Sequence, residues 1–214
     1  MNHGSAGLPG LAVSGRREGP HYAQKIFSTR DPCEMMNEST VYPDQIRLPN
    51  HRHLHIRPLR RGEDGPIREL YTRLSPRTRY LRFLSPMPVL PDSVLRLLAD
   101  VDDRRRLALV VELDKADGGD VVALGNLGGI DDRSAEVALV VRDDWQHQGV
   151  GVALAARLLQ AAEDRGYDRF VIDMLWNNPA IRKLLNRMGE IVSMNTRLGV
   201  SEVTFVRRRP VAGC

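Results

Sequence analysis

The sequence predicts a mixed α/β fold of the α+β kind, in which helices flank a curved, mostly antiparallel sheet and an irregular N-terminal extension precedes it. Three observations carry that prediction. Polar and apolar residues alternate from His53 to Leu59; strand-like runs follow one another at 107–113, 121–127 and 135–142; and a helix, strand, helix pattern then leads to the closing strands.

Each element has its own signal. Residues 1–50 scatter Gly, Pro, Ser and Asn with no repeat of period 2 or 3.6, so they read as an extension, with the domain over 51–209 and a tail over 210–214. Ile26, Phe27, Met35, Met36, Val41 and Tyr42 would let the extension dock on the domain or a partner instead. In the 53–59 strand Leu54 and Ile56 face a core, which leaves His51, His53 and His55 on the other face. No Cys or carboxylate supports those imidazoles, so they read as a solvated face and no metal is expected. Asp64 is placed as the cap of a helix to Leu74, with Ile67, Leu70, Tyr71 and Leu74 along one side. Ser75 caps the next helix, with Pro76 in its first turn and Tyr80, Leu81 and Leu84 as its apolar positions. A third starts at Pro91-Asp92 and carries Val94, Leu95, Leu97 and Leu98. The strands at 107–113 and 121–127 flank a turn over 115–120, and 135–142 completes a meander. A helix over 149–165, a strand over 169–175, a helix over 178–188 and one or two strands within 191–206 finish the chain.

Composition excludes several classes. At 42% hydrophobic and 27% charged, the 214 residues are not disordered throughout. No window holds the roughly 18 to 20 uninterrupted apolar residues of a membrane span, and the first thirty lack the apolar core of a secretory signal. The expectation is a cytoplasmic protein with no membrane partner. Two cysteines, Cys33 and Cys214, make neither a disulfide framework nor a Cys-rich zinc module. The net charge of +4 arises wholly after residue 50, because 1–50 carries matched acids and bases. A mildly cationic body suits an anionic ligand. Arg104-Arg105-Arg106 and Arg207-Arg208-Arg209 lack an aromatic platform, so nucleic acid is not an expected partner.

The chemistry concentrates where the strand ending at Val140-Val141 runs through a short loop into Gly149-Val150-Gly151-Val152. The first N–H groups of a helix lack internal partners and sit at the positive end of its dipole, so they can hold a pyrophosphate. Glycine at 149 and 151 keeps side chains out of the space a phosphate oxygen needs; a tight turn requiring glycine dihedrals is the other explanation. There is no Gly-x-x-x-x-Gly-Lys-Ser/Thr string and no third glycine of a dinucleotide fingerprint, so neither a nucleotide hydrolase nor a dehydrogenase is indicated.

Gln146-His147-Gln148-Gly149-Val150-Gly151 resembles the Gln/Arg-x-x-Gly-x-Gly/Ala signature of the GNAT superfamily of acetyl-CoA-dependent N-acyltransferases. The likeness extends over about 52–208. It includes the Leu-Ser-Pro-Arg-Thr-Arg-Tyr-Leu-Arg-Phe-Leu-Ser-Pro-Met run of 74–87, Ala135 to Trp145, and Asn178-Pro179-Ala180-Ile181-Arg182-Lys183-Leu184-Leu185, and is similar to the acyltransferase domain of bacterial protein lysine acetyltransferases. The resemblance implies a GNAT-like sheet with acetyl-CoA as cosubstrate. Its pantetheine would pair with the main chain of Leu139, Val140 and Val141, and its pyrophosphate would lie over the signature, with His147, Gln148, Gly149, Val150, Gly151 and Val152 around it. Asn178 and Arg187 would complete the site, although Asn178 also reads as a helix cap and Arg187 as a solvated charge.

An amine must lose a proton before it attacks a thioester, since a lysine side chain has a pKa of about 10.4. Glu136 shares a strand face with Ala138 and Val140, and a desolvated carboxylate takes up a proton more readily, as a general base must. The resemblance places the base there; without it, the preferred reading of Glu136 is an exposed strand acid in a surface ion pair, for example with Arg133. A backbone N–H near Val140 would stabilise the oxyanion. The tyrosine acid common in the superfamily is replaced by Lys183-Leu184-Leu185-Asn186, as in the lysine acetyltransferase branch; Gln148 stands where a cation is frequent and Glu190 where Phe is. Fifty irregular residues before His51 leave no expectation of the cyclic-nucleotide domain of regulated relatives. The acceptor is expected to be a protein lysine, with a small amine or a non-catalytic acyl-CoA sensor as alternatives; the oligomeric state is open.

Overall fold

The computed structural model describes residues 44–47, 53–102, 104–114 and 119–208. Its strands are β1 (Asp44–Arg47), β2 (His53–Pro58), β3 (Arg106–Leu113), β4 (Val121–Gly129), β5 (Ser134–Val141), β6 (Arg169–Leu175), β7 (Gly189–Arg197) and β8 (Val200–Arg207). Its helices are α1 (Gly65–Thr72), α2 (Pro76–Phe83), α3 (Asp92–Ala99), α4 (Val150–Glu163) and α5 (Pro179–Met188). All eight strands join one sheet in the order β1-β2-β3-β4-β5-β6-β8-β7, and every neighbouring pair is antiparallel except β5 and β6.

Period-2 alternation divides the core between the two faces. On β3, Leu107, Leu109 and Val111 pack with Leu154, Leu158 and Leu159 of α4, whereas Ala108 and Val110 face Ile67 and Leu70 of α1 and Leu95 and Leu98 of α3. Helices α1, α2 and α3 therefore lie on one side of the sheet and α4 and α5 on the other, the mixed architecture expected. No helix among the described residues is long and apolar enough to cross a membrane.

Several local expectations change. Residues 44–47, within the stretch read as largely irregular, form an edge strand on β2. Asp64 precedes α1 but its side chain caps nothing: Pro66 removes one N–H a cap would use, and Arg68 Nε donates to the carboxylate at 3.1 Å. Ser75 caps α2 as expected, accepting from Thr78 N at 3.1 Å. The buried side of α2 is Thr78, Arg82 and Phe83, while Tyr80 is exposed and Leu84 has left the helix with φ of 53°. The closing segment is two strands, joined at Leu198-Gly199, both with positive φ as a tight hairpin turn requires. His51, most of the 115–120 turn, the apolar residues of 26–42 and the tail lie outside the described residues.

Candidate active site

The sheet opens at β5. Along one side this strand pairs with β4 as far as Val141; along the other it pairs with β6 only at Ser134, Ala135 and Glu136, opposite Arg169, Phe170 and Val171. Beyond that, β6 runs with β8 and parts from β5. The β5 main chain from Val137 to Val141 thus leaves the ladder on its β6 side, as an extended ligand with its own N–H and C=O groups requires. On the α4 and α5 side the gap is apolar, lined by Val137, Leu139, Leu158, Leu159, Ile172, Leu184, Leu185 and Met188. Leu184 and Leu185 belong to the stretch where the resemblance lacks its tyrosine.

The loop after β5 is fixed by hydrogen bonds made largely by its own residues. A single 3₁₀ turn, Asp143–Trp145, follows the strand and buries Trp145. Arg142 holds Asp144 with two bonds, 2.7 and 2.9 Å, and reaches Asp120 at 3.4 Å. Gln146 Nε2 donates to the Val141 carbonyl at 3.0 Å and Gln148 Nε2 to the Asp144 carbonyl at 2.8 Å, so both signature glutamines brace the loop. The Asp143 carboxylate accepts from Ser75 N (2.9 Å), Ser75 Oγ (2.7 Å) and Thr78 Oγ1 (2.7 Å), tying the loop to α2. Burial disfavours its charge, yet those donors prevail and hold the carboxyl below the usual aspartate range.

His147 (φ 61°) and Gly149 (φ 88°) turn the chain into α4 through left-handed backbone, so Gly149 meets a conformational need. Gly151 has no such φ, and a Cβ there would meet only Val141 Cγ2 at 3.4 Å. No side chain caps α4, and the N–H groups of Val150, Gly151 and Val152 have no intrahelical acceptor. Val150 is fully buried and packs in the core beneath the start of α4.

Asn178 is buried and caps α5, its Oδ1 accepting from Ile181 N at 3.3 Å, so the cap reading holds. Arg187 is exposed in the last turn of α5, where a cation suits the helix dipole. Glu136 is only 5% exposed and does not project into solvent; Arg133, the alternative partner, is bound instead to Asp168. Its face of the sheet is the α2 side: Gly128 is its β4 neighbour, Val171 its β6 neighbour, and two residues further on Asp173 stands opposite Glu202 of β8. The sequence reading missed Arg82, whose Nη2 donates to Asn126 Oδ1 at 2.9 Å within the interior, and the role of Asp143. The Ser-Pro start of α2 was the only signal near either.

Comparison with known proteins agrees with this geometry. The acetyltransferase (GNAT) family profile matches residues 67–189. The chain is 28% identical to acetyltransferase PA5475 of Pseudomonas aeruginosa over 143 residues, 66% of this chain and 77% of the relative. It is 40% identical to acetyltransferase Pat of Mycolicibacterium smegmatis over 57 residues, covering 27% of this chain and 17% of that one. The solved GNAT domain of S. lividans PAT superposes with a TM-score of 0.68 at 23% identity, covering 77% of this chain and 96% of that domain. The open β5 edge and the uncapped helix after it thus lie in a chain that belongs to the acetyltransferase (GNAT) family, whose members use acetyl-CoA.

Proposed function

We propose that this acyltransferase moves the acetyl group of acetyl-CoA to a primary amine, the side chain of a protein lysine, with Glu136 as general base. One observation carries the reading: β5 opens just beyond Glu136 and leads, through a braced loop, into the uncapped N-terminus of α4. The residues present fit the cosubstrate, since an anionic pyrophosphate suits the N–H groups of Val150, Gly151 and Val152, and an amide-bearing arm suits the main chain of Leu139, Val140 and Val141. Gly151 leaves room for a phosphate, and the apolar gap suits the alkyl portions of the arm. Asn178 and Arg187 of α5 would complete the cofactor site, as Gln146, His147, Gln148 and Gly149 would around the pyrophosphate; the side chains of Gln146 and Gln148 also brace the loop.

Bound acetyl-CoA supplies an activated acyl carbon. Glu136 accepts the proton of the ammonium, directly or through water, and a β5 N–H near Val140 donates to the oxygen on which negative charge develops. Leu184 and Leu185 provide no acid, so as the nitrogen–acyl carbon bond forms the carbon–sulfur bond would break with the sulfur leaving as a thiolate, which a thiol pKa of about 8.5 permits. The second proton shed by the nitrogen would pass to water or to that thiolate. Asp173 and Glu202, on the Glu136 face, give the acceptor side a negative character that suits a cationic amine. The lysine acceptor rests on the 74–87 run and on the kinship with Pat.

The test is free-thiol release from acetyl-CoA by wild type and Glu136→Gln, with lysine-rich proteins and a panel of small amines as acceptors. The variant should lose about 10²–10⁴-fold in kcat/KM while calorimetry shows its cofactor Kd within about twofold of wild type. Cofactor binding without thiol release from either protein would instead identify a sensor.

A further inference from the structure

Three polar side chains are buried together beneath α2. Arg82, Asn126 and Glu136 are each 5% exposed. Asn126 and Gly128 are successive residues on one face of β4, and their β5 neighbours are Ala138 and Glu136. On that patch Gly128 has no side chain and Ala138 only a methyl, so Asn126 and Glu136 are the two groups with reach, placed diagonally at roughly 7–8 Å between backbones. The Arg82 guanidinium descends from α2 onto the same patch, anchored on Asn126 Oδ1 at 2.9 Å. A guanidinium stays protonated in proteins, and burying one is costly unless an anion shares its environment. The anion across the patch is Glu136.

From this arrangement we propose that Arg82, seated by Asn126, is a positioning residue that keeps Glu136 ionised and aimed along the sheet face; the proposal rests on Glu136 as the base. Other groups facing Glu136 do not substitute for it. Arg79, also on α2, lies 4.6 Å over the Tyr71 ring and donates to the Pro88 carbonyl at 2.8 Å, so it is directed elsewhere. β3 contributes Arg106, the ladder neighbour of Gly128, which is tied to Asp100 and Asp102; β4 contributes uncharged Asn126; β6 and β8 contribute Asp173 and Glu202, which oppose ionisation; and α4 packs on the opposite face of β5. Arg82 is therefore the favourable charge that packs from α2 onto the β4–β5 patch itself.

The experiment titrates ¹³C-carboxyl-labelled glutamate by NMR, with the Glu136 signal assigned by Glu136→Gln, alongside pH profiles of kcat/KM. In Arg82→Met the Glu136 midpoint should rise by about one to two pH units, and the acid limb of the rate profile should move with it. Arg82→Lys, which keeps the charge, should hold both within about half a unit. Asn126→Ala, which releases the guanidinium without removing it, should shift the midpoint the same way by less, and it supplies the readout if Arg82→Met does not fold. A Glu136 midpoint unmoved in the folded variants overturns the proposal, as does an equal loss in the Met and Lys variants at every pH with the acid limb in place. A midpoint that moves while Glu136→Gln keeps wild-type turnover upholds the coupling and removes the base assignment instead.

Discussion

Gly149 and Gly151 look alike in the sequence and do different work. Gly149 sits at φ 88°, where a Cβ is penalised, so Gly149→Ala should cost about 1–2 kcal/mol of stability, read from the urea midpoint. Gly151 is in the first turn of α4 with ordinary φ and only a van der Waals neighbour for a Cβ, so Gly151→Ala should leave the melting temperature unchanged or slightly raised. If the helix N-terminus receives pyrophosphate, that methyl occupies ligand space, and acetyl-CoA affinity should fall about tenfold or more by calorimetry. Unchanged affinity in Gly151→Ala would remove the phosphate from this turn. His147, at φ 61° without being glycine, is the third member of the turn, and His147→Gly should relieve strain of order 1 kcal/mol.

At the scale of elements, the loop between β5 and α4 is tied down by hydrogen bonds from α2. Asp143 gathers three donors from the first turn of α2; removing it in Asp143→Ala should cost about 1–2 kcal/mol, allowing for its partial exposure, and should weaken cofactor binding through loosening of the loop. Hydrogen exchange at Val150 to Val152 would report that loosening directly. This contact joins residues 68 apart in sequence, and Arg82 meets Asn126 across 44, so no local pattern could announce either. Elements with a period were legible: β2 through β6 and the helices lie close to their expected positions because alternation and the 3.6 repeat record which side meets the core. β1 was not, since Asp44-Gln45-Ile46-Arg47 has one apolar residue and is a strand because the outer edge of β2 offers it hydrogen bonds. The buried side of α2 was misread for a related reason: Thr78 and Arg82 face inward to serve the loop and the β4–β5 patch, and an apolar search passes over them. For Glu136, face parity with Ala138 and Val140 was legible, whereas which helices cover that face, and the parting of β5 from β6, are properties of the folded sheet alone.

Across the whole molecule, polar ties at the margins of the sheet depend on ionised carboxylates. Hydrogen bonds from Arg57, at 2.8 and 2.9 Å, hold Glu63 below the usual glutamate range and link the strand end of β2 to the approach to α1. Burial disfavours the charge of Asp102, but the N–H groups of Arg106, Arg105 and Arg104 outweigh it and depress its carboxyl, as Ser75 and Thr78 do for Asp143. A carboxyl whose folded pKa lies below its unfolded value, about 3.9 for Asp and 4.3 for Glu, stabilises the fold fully above that unfolded value and loses the contribution as pH falls through the folded one. The urea midpoint should therefore be nearly flat from about pH 7 to 5.5 and decline steeply below about pH 4.5. Asp143→Asn should start from a lower midpoint at pH 7 and decline less on acidification, because one of the linked protons is gone. Parallel acid limbs for wild type and variant would mean that Asp143 titrates no differently folded than unfolded, and that α2 supports the loop between β5 and α4 by packing rather than by charge.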